Sequence, residues 1–262
     1  MGVGLEFRGR WMGMLVAALF VSACATSPER INDPRDPLEP MNRVIYRFNS
    51  YVDKALIKPL AQGYRAITPD PVERGISNVF YNIDDVTSAV NNVLQFKMSR
   101  AGSDIGRIFI NSTVGVLGFF DVATNVGLPS YKEDFGQTLG YWGLESGAYV
   151  VLPFLGPSTM RDNLGWVGDV VTDPLINIRE DRIYWGLIGM RLVNQRAKYL
   201  ATGEILEDSA LDTYAFLRDA YLQRRESQVH DGNPPTATAP QADFWDDVDF
   251  DTKTNSRQDP AN

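Results

Sequence analysis

Gly75-Ile-Ser-Asn-Val-Phe-Tyr-Asn-Ile-Asp-Asp-Val-Thr-Ser-Ala-Val-Asn-Asn-Val-Leu-Gln95 is the stretch that decides the fold class. Ile76, Val79, Phe80, Ile83, Val86, Val90, Val93 and Leu94 recur every three or four positions, the spacing of one stripe along an α-helix. The opposite side carries Asn78, Asn82, Asp85 and Asn92. In water such a stripe packs into a core. Against a membrane it faces outward and the polar side turns inward. Periodicity alone does not choose between the two.

Upstream, Glu39 precedes Pro40, a residue suited to the first helical position. Val44, Ile45, Phe48, Tyr51, Val52, Ala55 and Leu56 then mark a second amphipathic helix, which Pro59 is expected to end. Downstream, Ile105 to Phe120 is apolar almost all round, interrupted by Arg107, Asn111-Ser-Thr113, Gly115 and Gly118. A helix from Ile108 to Phe120 would be roughly 20 Å long against a hydrocarbon core of about 30 Å, so it cannot cross a bilayer alone. Two readings stand: a buried core helix, or a half-membrane or interfacial segment.

Residues 134–157 hold glycines at 136, 140, 143, 147 and 156, which disfavour helix. Tyr149 to Phe154 reads as extended, with Gly143 to Gly147 as a turn, giving a hairpin-like loop. Helices resume after Pro157, where Thr159 and Asp162 resemble a capping box, then over 183–202, and from Ser209, boxed by Asp212, to about Gln228. The body is mainly α.

The ends are different objects. Arg8 and Arg10 lead into an apolar run, Trp11 to Val21, of signal-peptide length, which stops at Val21-Ser-Ala-Cys24. Small residues before a cysteine resemble a lipobox, so Cys24 is expected to become a lipidated N-terminus. It is the only cysteine of a chain bound for an oxidising compartment, where lipidation would consume its thiol. Two or more acyl chains hold a protein stably on a membrane. By resemblance to enterobacterial lipoproteins, in which an aspartate after the cysteine favours inner-membrane retention, Ala25 implies the outer membrane. Residues 25–39, rich in Pro, Asp and Ser, read as a tether.

Of 33 acids and 25 bases, cleavage would remove Glu6, Arg8 and Arg10, leaving 32 and 23, a net charge near −9. Nucleic acid is therefore not an expected partner. Residues 231–262 hold seven aspartates against Lys253 and Arg257 and cannot bury a core, so a disordered acidic tail is expected there. Its Asp243-Phe-Trp-Asp-Asp-Val-Asp-Phe-Asp251 interleaves aromatics with carboxylates. It reads either as a solubilising tail or as a docking segment for a basic partner, with Phe244, Trp245, Asp246, Asp247 and Phe250 as its contacts.

Reagents for catalysis are scarce. The single histidine, His230, sits at the edge of that tail, there is no Gly-x-Ser-x-Gly elbow, and the glycine-rich loop lacks the Gly-Lys-Ser/Thr ending of a P-loop. No catalytic residue, metal site or cofactor is assigned. Apolar and aromatic surface, glycine-rich flexibility and an anchor suit a protein that handles lipid.

Four ordered motifs carry a family resemblance: Asp36-Pro-Leu-Glu-Pro-Met-Asn-Arg-Val-Ile-Tyr-Arg-Phe-Asn49; Asn111 through Gly118-Phe-Phe-Asp-Val-Ala123; Asp134-Phe-Gly-Gln-Thr-Leu-Gly-Tyr-Trp-Gly143; and Leu152-Pro-Phe-Leu-Gly-Pro-Ser-Thr-Met-Arg-Asp162. Together they resemble the MlaA (VacJ) lipoproteins of Gram-negative bacteria, from the lipobox to about Arg225. The resemblance implies a ring-like bundle of helices within the inner leaflet of the outer membrane, with a central polar channel, beside a trimeric porin. It implies that phospholipids astray in the outer leaflet pass through to a soluble periplasmic carrier. On it, residues 1–23 are the signal peptide, 24–39 the lipidated tether, 40–230 the helical domain and 231–262 the tail. The loop 134–157 looks like the family's gating hairpin, with Gly136, Gly140, Gly143 and Gly147 as hinges or as tight turns. Asn42, Phe48 and Asn49 would set the first helix against the channel, and Arg161 and Asp162 would either meet a headgroup phosphate or form a structural ion pair. The reading from another class is a lipid-anchored scaffold that binds porins without moving lipid.

Overall fold

The computed structural model describes residues 33–203 and 212–234. The signal segment, Cys24, Ser209 and the tail residues Phe244, Trp245, Asp246, Asp247 and Phe250 lie outside them.

The chain is mainly helical. Helix α1 (Glu39–Val52) runs through a π-helical turn (Asp53–Ile57) into α2 (Lys58–Ile67), followed by the long α3 (Asp70–Leu94) and α4 (Met98–Thr113). Short helices α5 (Val122–Asn125) and α6 (Phe135–Tyr141) precede a hairpin of β1 (Tyr149–Leu152) and β2 (Gly156–Thr159). Then come α7 (Met160–Thr172), a 3-10 turn (Pro174–Asn177), α8 (Asp181–Lys198) and α9 (Thr213–Val229). The strands pair antiparallel with Tyr149 opposite Thr159 and Leu152 opposite Gly156. Packing runs in a circuit: α2 on α8, α8 on α3, α3 on α4 and α6, α6 on α7 and α9, α9 on β2, and β1 back on α1. This is the ring-like bundle. Among the described residues no helix is long and apolar enough to cross a membrane.

Both sequence-predicted stripes mostly face out, except that Phe80 of α3 is buried and Ile45 of α1 packs against buried Tyr149, Val151 and Tyr214. The buried residues of α3 include Ser77, Asn82, Asp85, Ser88, Asn91 and Asn92, whereas Ile76, Val79, Ile83, Val86, Val90 and Val93 are half-buried or exposed. On α1, Asn42 is the buried residue while Val44, Phe48 and Tyr51 are exposed. Among the described residues, 11 apolar side chains are buried against 21 polar or charged ones, and 36 large apolar side chains are exposed. A water-soluble domain has the reverse balance. Here the core is polar and mostly hydrogen-bonded, as burial of polar groups requires, with Asn82 Oδ1 and Asn92 Oδ1 left without a partner among the described residues. Arg107 donates to Asp85 Oδ2 (3.0 Å), Asn92 to Asp104 Oδ2 (2.8 Å), Thr138 to Asn91 Oδ1 (2.7 Å), and Gln95 to Glu133 and Thr138 (3.0 Å each).

Six expectations need correction. Pro59 does not end the first helix: in the π turn Lys58 N–H donates to Asp53 O, five residues back, so Pro59 enters as an early residue of α2. The helix expected over 108–120 is instead α4, and its apolar residues Ile105 and Phe109 are exposed, so it is not a buried core helix. Residues 135–141 are helical despite their glycines, because Asp134 caps them by accepting from Gln137 N–H (2.8 Å) and Gly136 and Gly140 sit where a Cβ would strike neighbouring side chains. The hairpin turns at residues 153–155 rather than at Gly143–Gly147. Finally, residues 33–38 are built into the body rather than serving as tether. Asp36 is buried, accepting from Asn42 (2.8 Å) and from Tyr214 Oη (2.5 Å), and Arg35 O accepts from Tyr149 N–H. At the other end Asp231, expected in the tail, pairs with Lys97 and Arg100.

Candidate functional site

Where the hairpin, α7 and α9 meet, a cleft of about 310 Å³ opens. Its rim is apolar, from Leu152, Leu155, Pro157 and Trp166, and its polar floor comes from Asp134, Asp162, Asp169, Tyr221 and Arg225. Each floor residue follows from local structure. Thr159 caps α7 by accepting from Asp162 N–H (3.2 Å), as the capping box predicts, but the Asp162 side chain turns away to the floor. Asp162 and Asp169 are two helical turns apart and so share a face. Tyr221 and Arg225 are one turn apart on α9. α6 reaches the same place because Gly136 packs on Gly165 of α7, where a Cβ on Gly165 would stand 2.3 Å from the Gly136 nitrogen.

Arg225 ties the floor together. Its Nη1 and Nη2 donate to Asp134 Oδ2 and Oδ1 (2.6 and 2.9 Å), and its Nε and Nη2 to Asp162 Oδ2 and Oδ1 (3.0 and 2.8 Å). Bidentate pairs of this kind are the strong form of ion pair. Burial alone would raise both carboxyls, but the Arg225 guanidinium holds Asp134 and Asp162 below their ordinary range. Tyr221 Oη also donates to Asp162 Oδ2 (2.6 Å), and burial with that carboxylate pushes the phenol up. Asp169 differs. Burial, with Asp134 and Asp162 nearby, raises it to about 6, although Phe135 N–H donates to it at 2.9 Å.

The described residues singled out in the sequence fall into three groups. Gly136, Gly140, Arg161 and Asp162 gather around this floor: a Cβ on Gly136 would meet Asp162 and Arg225, and one on Gly140 would meet Arg161 and Val229. Arg161 is buried and donates to Asp162 Oδ1 (3.3 Å). Asn42, Phe48 and Asn49 belong to the seam between α1 and the hairpin. Asn42 donates to Tyr149 O (3.0 Å) and accepts from Val151 N–H (2.9 Å); Asn49 donates to Leu152 O and accepts from Phe154 N–H (2.8 Å each). Phe48 meets Phe154 edge to face, with ring centroids 5.3 Å apart. Gly143 and Gly147, both at positive φ, lie in the link from α6 to β1. Arg225, Asp169 and Tyr221 were not singled out as site residues. The i,i+4 and i,i+7 spacings were their only sequence signal.

Comparison with known proteins decides the family. The model of the MlaA lipoprotein family matches residues 34–228, which span the whole cleft. The chain belongs to the MlaA lipoprotein family. The intermembrane phospholipid transport system lipoprotein MlaA of Haemophilus influenzae is 30% identical over 239 residues, 83% of this chain and 89% of that one. The same-named protein of Escherichia coli K12 is 30% identical over 246 residues, 90% of this chain and 97% of that one. A chain solved under the description "Structural basis for maintenance of bacterial outer membrane lipid asymmetry" aligns with a TM-score of 0.65 at 32% identity, covering 74% of this chain and 98% of that chain. The four motifs that suggested MlaA now have structural places. The first and fourth form the seam and the cleft edge, the second forms the end of α4 and the turn after it, and the third forms α6.

Proposed function

We propose that this MlaA-family chain, lipidated at Cys24 and held on the periplasmic side of the outer membrane, takes mislocalised phospholipid from the outer leaflet and passes it to a soluble periplasmic carrier. The observation that carries this reading is the inverted polarity of the body, a hydrogen-bonded polar interior inside an apolar exterior. In lipid, a polar path passes the headgroup while apolar surface accommodates the tails. The cleft pairs the two chemistries, a floor of Asp134, Asp162, Asp169 and Arg225 beneath a rim of Leu155 and Trp166. Arg161 and Asp162 serve this path as its frame, since Asp162 is already engaged by Arg225 and Tyr221. Gating falls to the link from Gly143 to Gly147, where a Cβ on Gly143 would meet nothing within 4 Å. Asn42, Phe48 and Asn49 hold the hairpin beside it. No covalent step is involved. A trimeric porin is the partner at the exterior, and the acidic tail with Trp245 and Phe250 docks the carrier.

The test is phospholipid exposure at the cell surface, read by externally added phospholipase on cells lacking the gene and carrying wild type, Cys24→Ala or Leu155→Trp at matched protein levels. Exposure should rise on deletion, fall with wild type and stay high with both variants, because one lacks the anchor and the other crowds the cleft. Full rescue by Leu155→Trp together with other cleft-filling variants would favour the lipid-anchored scaffold instead. Truncation after Pro234 should weaken carrier capture and spare the fold; undiminished capture would remove the tail from the scheme.

A further inference from the structure

The polar groups that line the cleft divide into those the protein already engages and those it leaves open. All five Arg225 N–H groups are engaged: Nε by Asp162, Nη1 by Asp134 and by Gln228 (3.2 Å), and Nη2 by Asp134 and Asp162. Tyr221 Oη donates to Asp162, and Ser158 Oγ donates to Asn163 Oδ1 (2.7 Å). Arg225 therefore has no donor left for a phosphate.

Three groups remain open, all on α7. Asp169 accepts at Oδ1 from Phe135 N–H, while its Oδ2 meets no donor and no Lys or Arg pairs with it among the described residues. Asn163 Nδ2 and Trp166 Nε1 likewise donate to nothing among the described residues. Asn163, Trp166 and Asp169 stand three residues apart, one row along the helix that rises about 4.5 Å per step, and all three line the cleft. The row offers two donors and then one anionic acceptor.

Charge points the same way. Counting Arg161 behind Asp162, the three carboxylates of Asp134, Asp162 and Asp169 meet two guanidiniums, so one negative charge lacks a counter-ion. That charge is on Asp169, which burial and the neighbouring carboxylates raise to about 6. A half-buried carboxylate without a cation is costly, and a cationic ligand relieves that cost. Among the described residues no three carboxylates converge as metal ligands would. Beside the row, Leu152, Leu155 and Pro157 supply an apolar wall. A ligand that answers all of this carries an ammonium, a phosphate a short chain away and an apolar remainder.

We infer that the Asn163–Trp166–Asp169 row reads the headgroup of a zwitterionic aminophospholipid, the Asp169 carboxylate taking the primary ammonium while Asn163 Nδ2 and Trp166 Nε1 donate to the phosphate. This rests on the reading of the cleft as part of the lipid path, and adds the headgroup it favours. An ammonium with three N–H donors makes a charge-assisted, directional pair with a carboxylate. A glycerol headgroup brings the phosphate charge and no cation to offset the floor.

The experiment is a competition on the full-length protein extracted from membranes in detergent. Dihexanoyl-phosphatidylethanolamine is mixed with an equal amount of dihexanoyl-phosphatidylglycerol or dihexanoyl-phosphatidylcholine, and bound lipid is counted by native mass spectrometry. Wild type should retain several-fold more ethanolamine than glycerol lipid, with choline lipid between them, because a quaternary ammonium keeps the charge and has no N–H. Asp169→Asn, which still accepts from Phe135 N–H, should bring ethanolamine and glycerol lipids level at an unchanged melting temperature; the double variant Asn163→Ala, Trp166→Phe should weaken both alike and keep their ratio. A preference that survives Asp169→Asn would overturn the assignment. Should that variant not fold, the wild-type ratios decide. Level binding by wild type, with both lipids lost in Leu155→Trp, would overturn the selectivity and leave the cleft as a lipid path. Undiminished binding of both in Leu155→Trp would count against the cleft reading itself. Soluble glycerophosphoethanolamine should compete only weakly; competition as strong as the lipid's would overturn a lipid as the ligand.

Discussion

The α3–α4 pair and the seam of α1, the hairpin and α9 solve burial in opposite ways. In the seam, Tyr149, Val151 and Tyr214 are buried and packed by Ile45, Tyr46, Tyr221 and Leu222, with edge-to-face contacts among the tyrosines. That is an ordinary apolar core, whose Tyr214 and Tyr221 hydroxyls donate to Asp36 and Asp162. In α3 and α4 the buried groups are mostly polar, among them Asp85, Asn91, Asn92, Asp104, Arg107 and Asn111, and apart from Phe80, Ala89 and Ala101 the apolar residues are half-buried or exposed. One chain therefore holds a region stabilised by apolar burial and another built mainly on buried polar pairs. The same helical stripe marks a core only when something apolar lies beneath it.

The sharpest way to break this contrast is at Arg107. Arg107→Met leaves Asp85 buried without the guanidinium it accepts from, retaining only Lys132 and Ser130, and should destabilise by about 3–5 kcal/mol. Thermal unfolding in detergent should show it, and the double variant with Asp85→Leu should recover much of the loss. If the single variant unfolds like wild type, the polar core is not what holds α3 to α4.

The seam is probed at Asn42, whose side chain joins Asp36, Tyr149 O and Val151 N–H. Asn42→Ala strands buried backbone groups of β1, and a loss of about 3 kcal/mol is expected, read as a lower denaturation midpoint.

A pH dependence separates the regions more gently. Burial raises Asp104 in the α3–α4 core to about 6, with the Asp85 charge adding to the effect. A carboxyl whose folded pKa lies above its unfolded value binds more protons in the native state. Its contribution therefore favours the fold as pH falls from about 6 towards 4, and is lost as pH rises. Asp169 acts in the same sense. Asp134 and Asp162, held low, oppose it only below their ordinary range. Asp104→Asn should flatten the stability profile between pH 4 and 6; an unchanged slope would move its origin elsewhere.

The smallest effect is expected outside. Phe109→Ala removes a ring that is 68% exposed and should change unfolding in detergent by less than about 0.5 kcal/mol, against about 3–5 kcal/mol for a buried aromatic such as Tyr149→Ala.

These contrasts also mark what could be read from the sequence. The stripes of α1 and α3, the cap at Thr159 and the mainly α class were legible, because local hydrogen bonding and side-chain period set them. The direction of the stripes was not, since it depends on what the neighbouring elements present. The helix of residues 135–141 was hidden by its glycines, whose reason lies in the side chains of α7 and α9 far along the chain. The cleft was half visible: Asp162 stood out beside its cap, but Arg225 is 63 residues away and declares itself only when α9 lies across α7.

The most direct test is to label the protein in its membrane with a phospholipid bearing a photoactivated carbene source deep in its acyl chain, and to map the adducts by mass spectrometry. The account predicts adducts on the outward residues of α3 and α4, among them Ile83, Val90, Ile105 and Phe109, and none on Tyr149, Val151 or Tyr214. Absence of adducts on α3 and α4, with the protein anchored and folded, would contradict it.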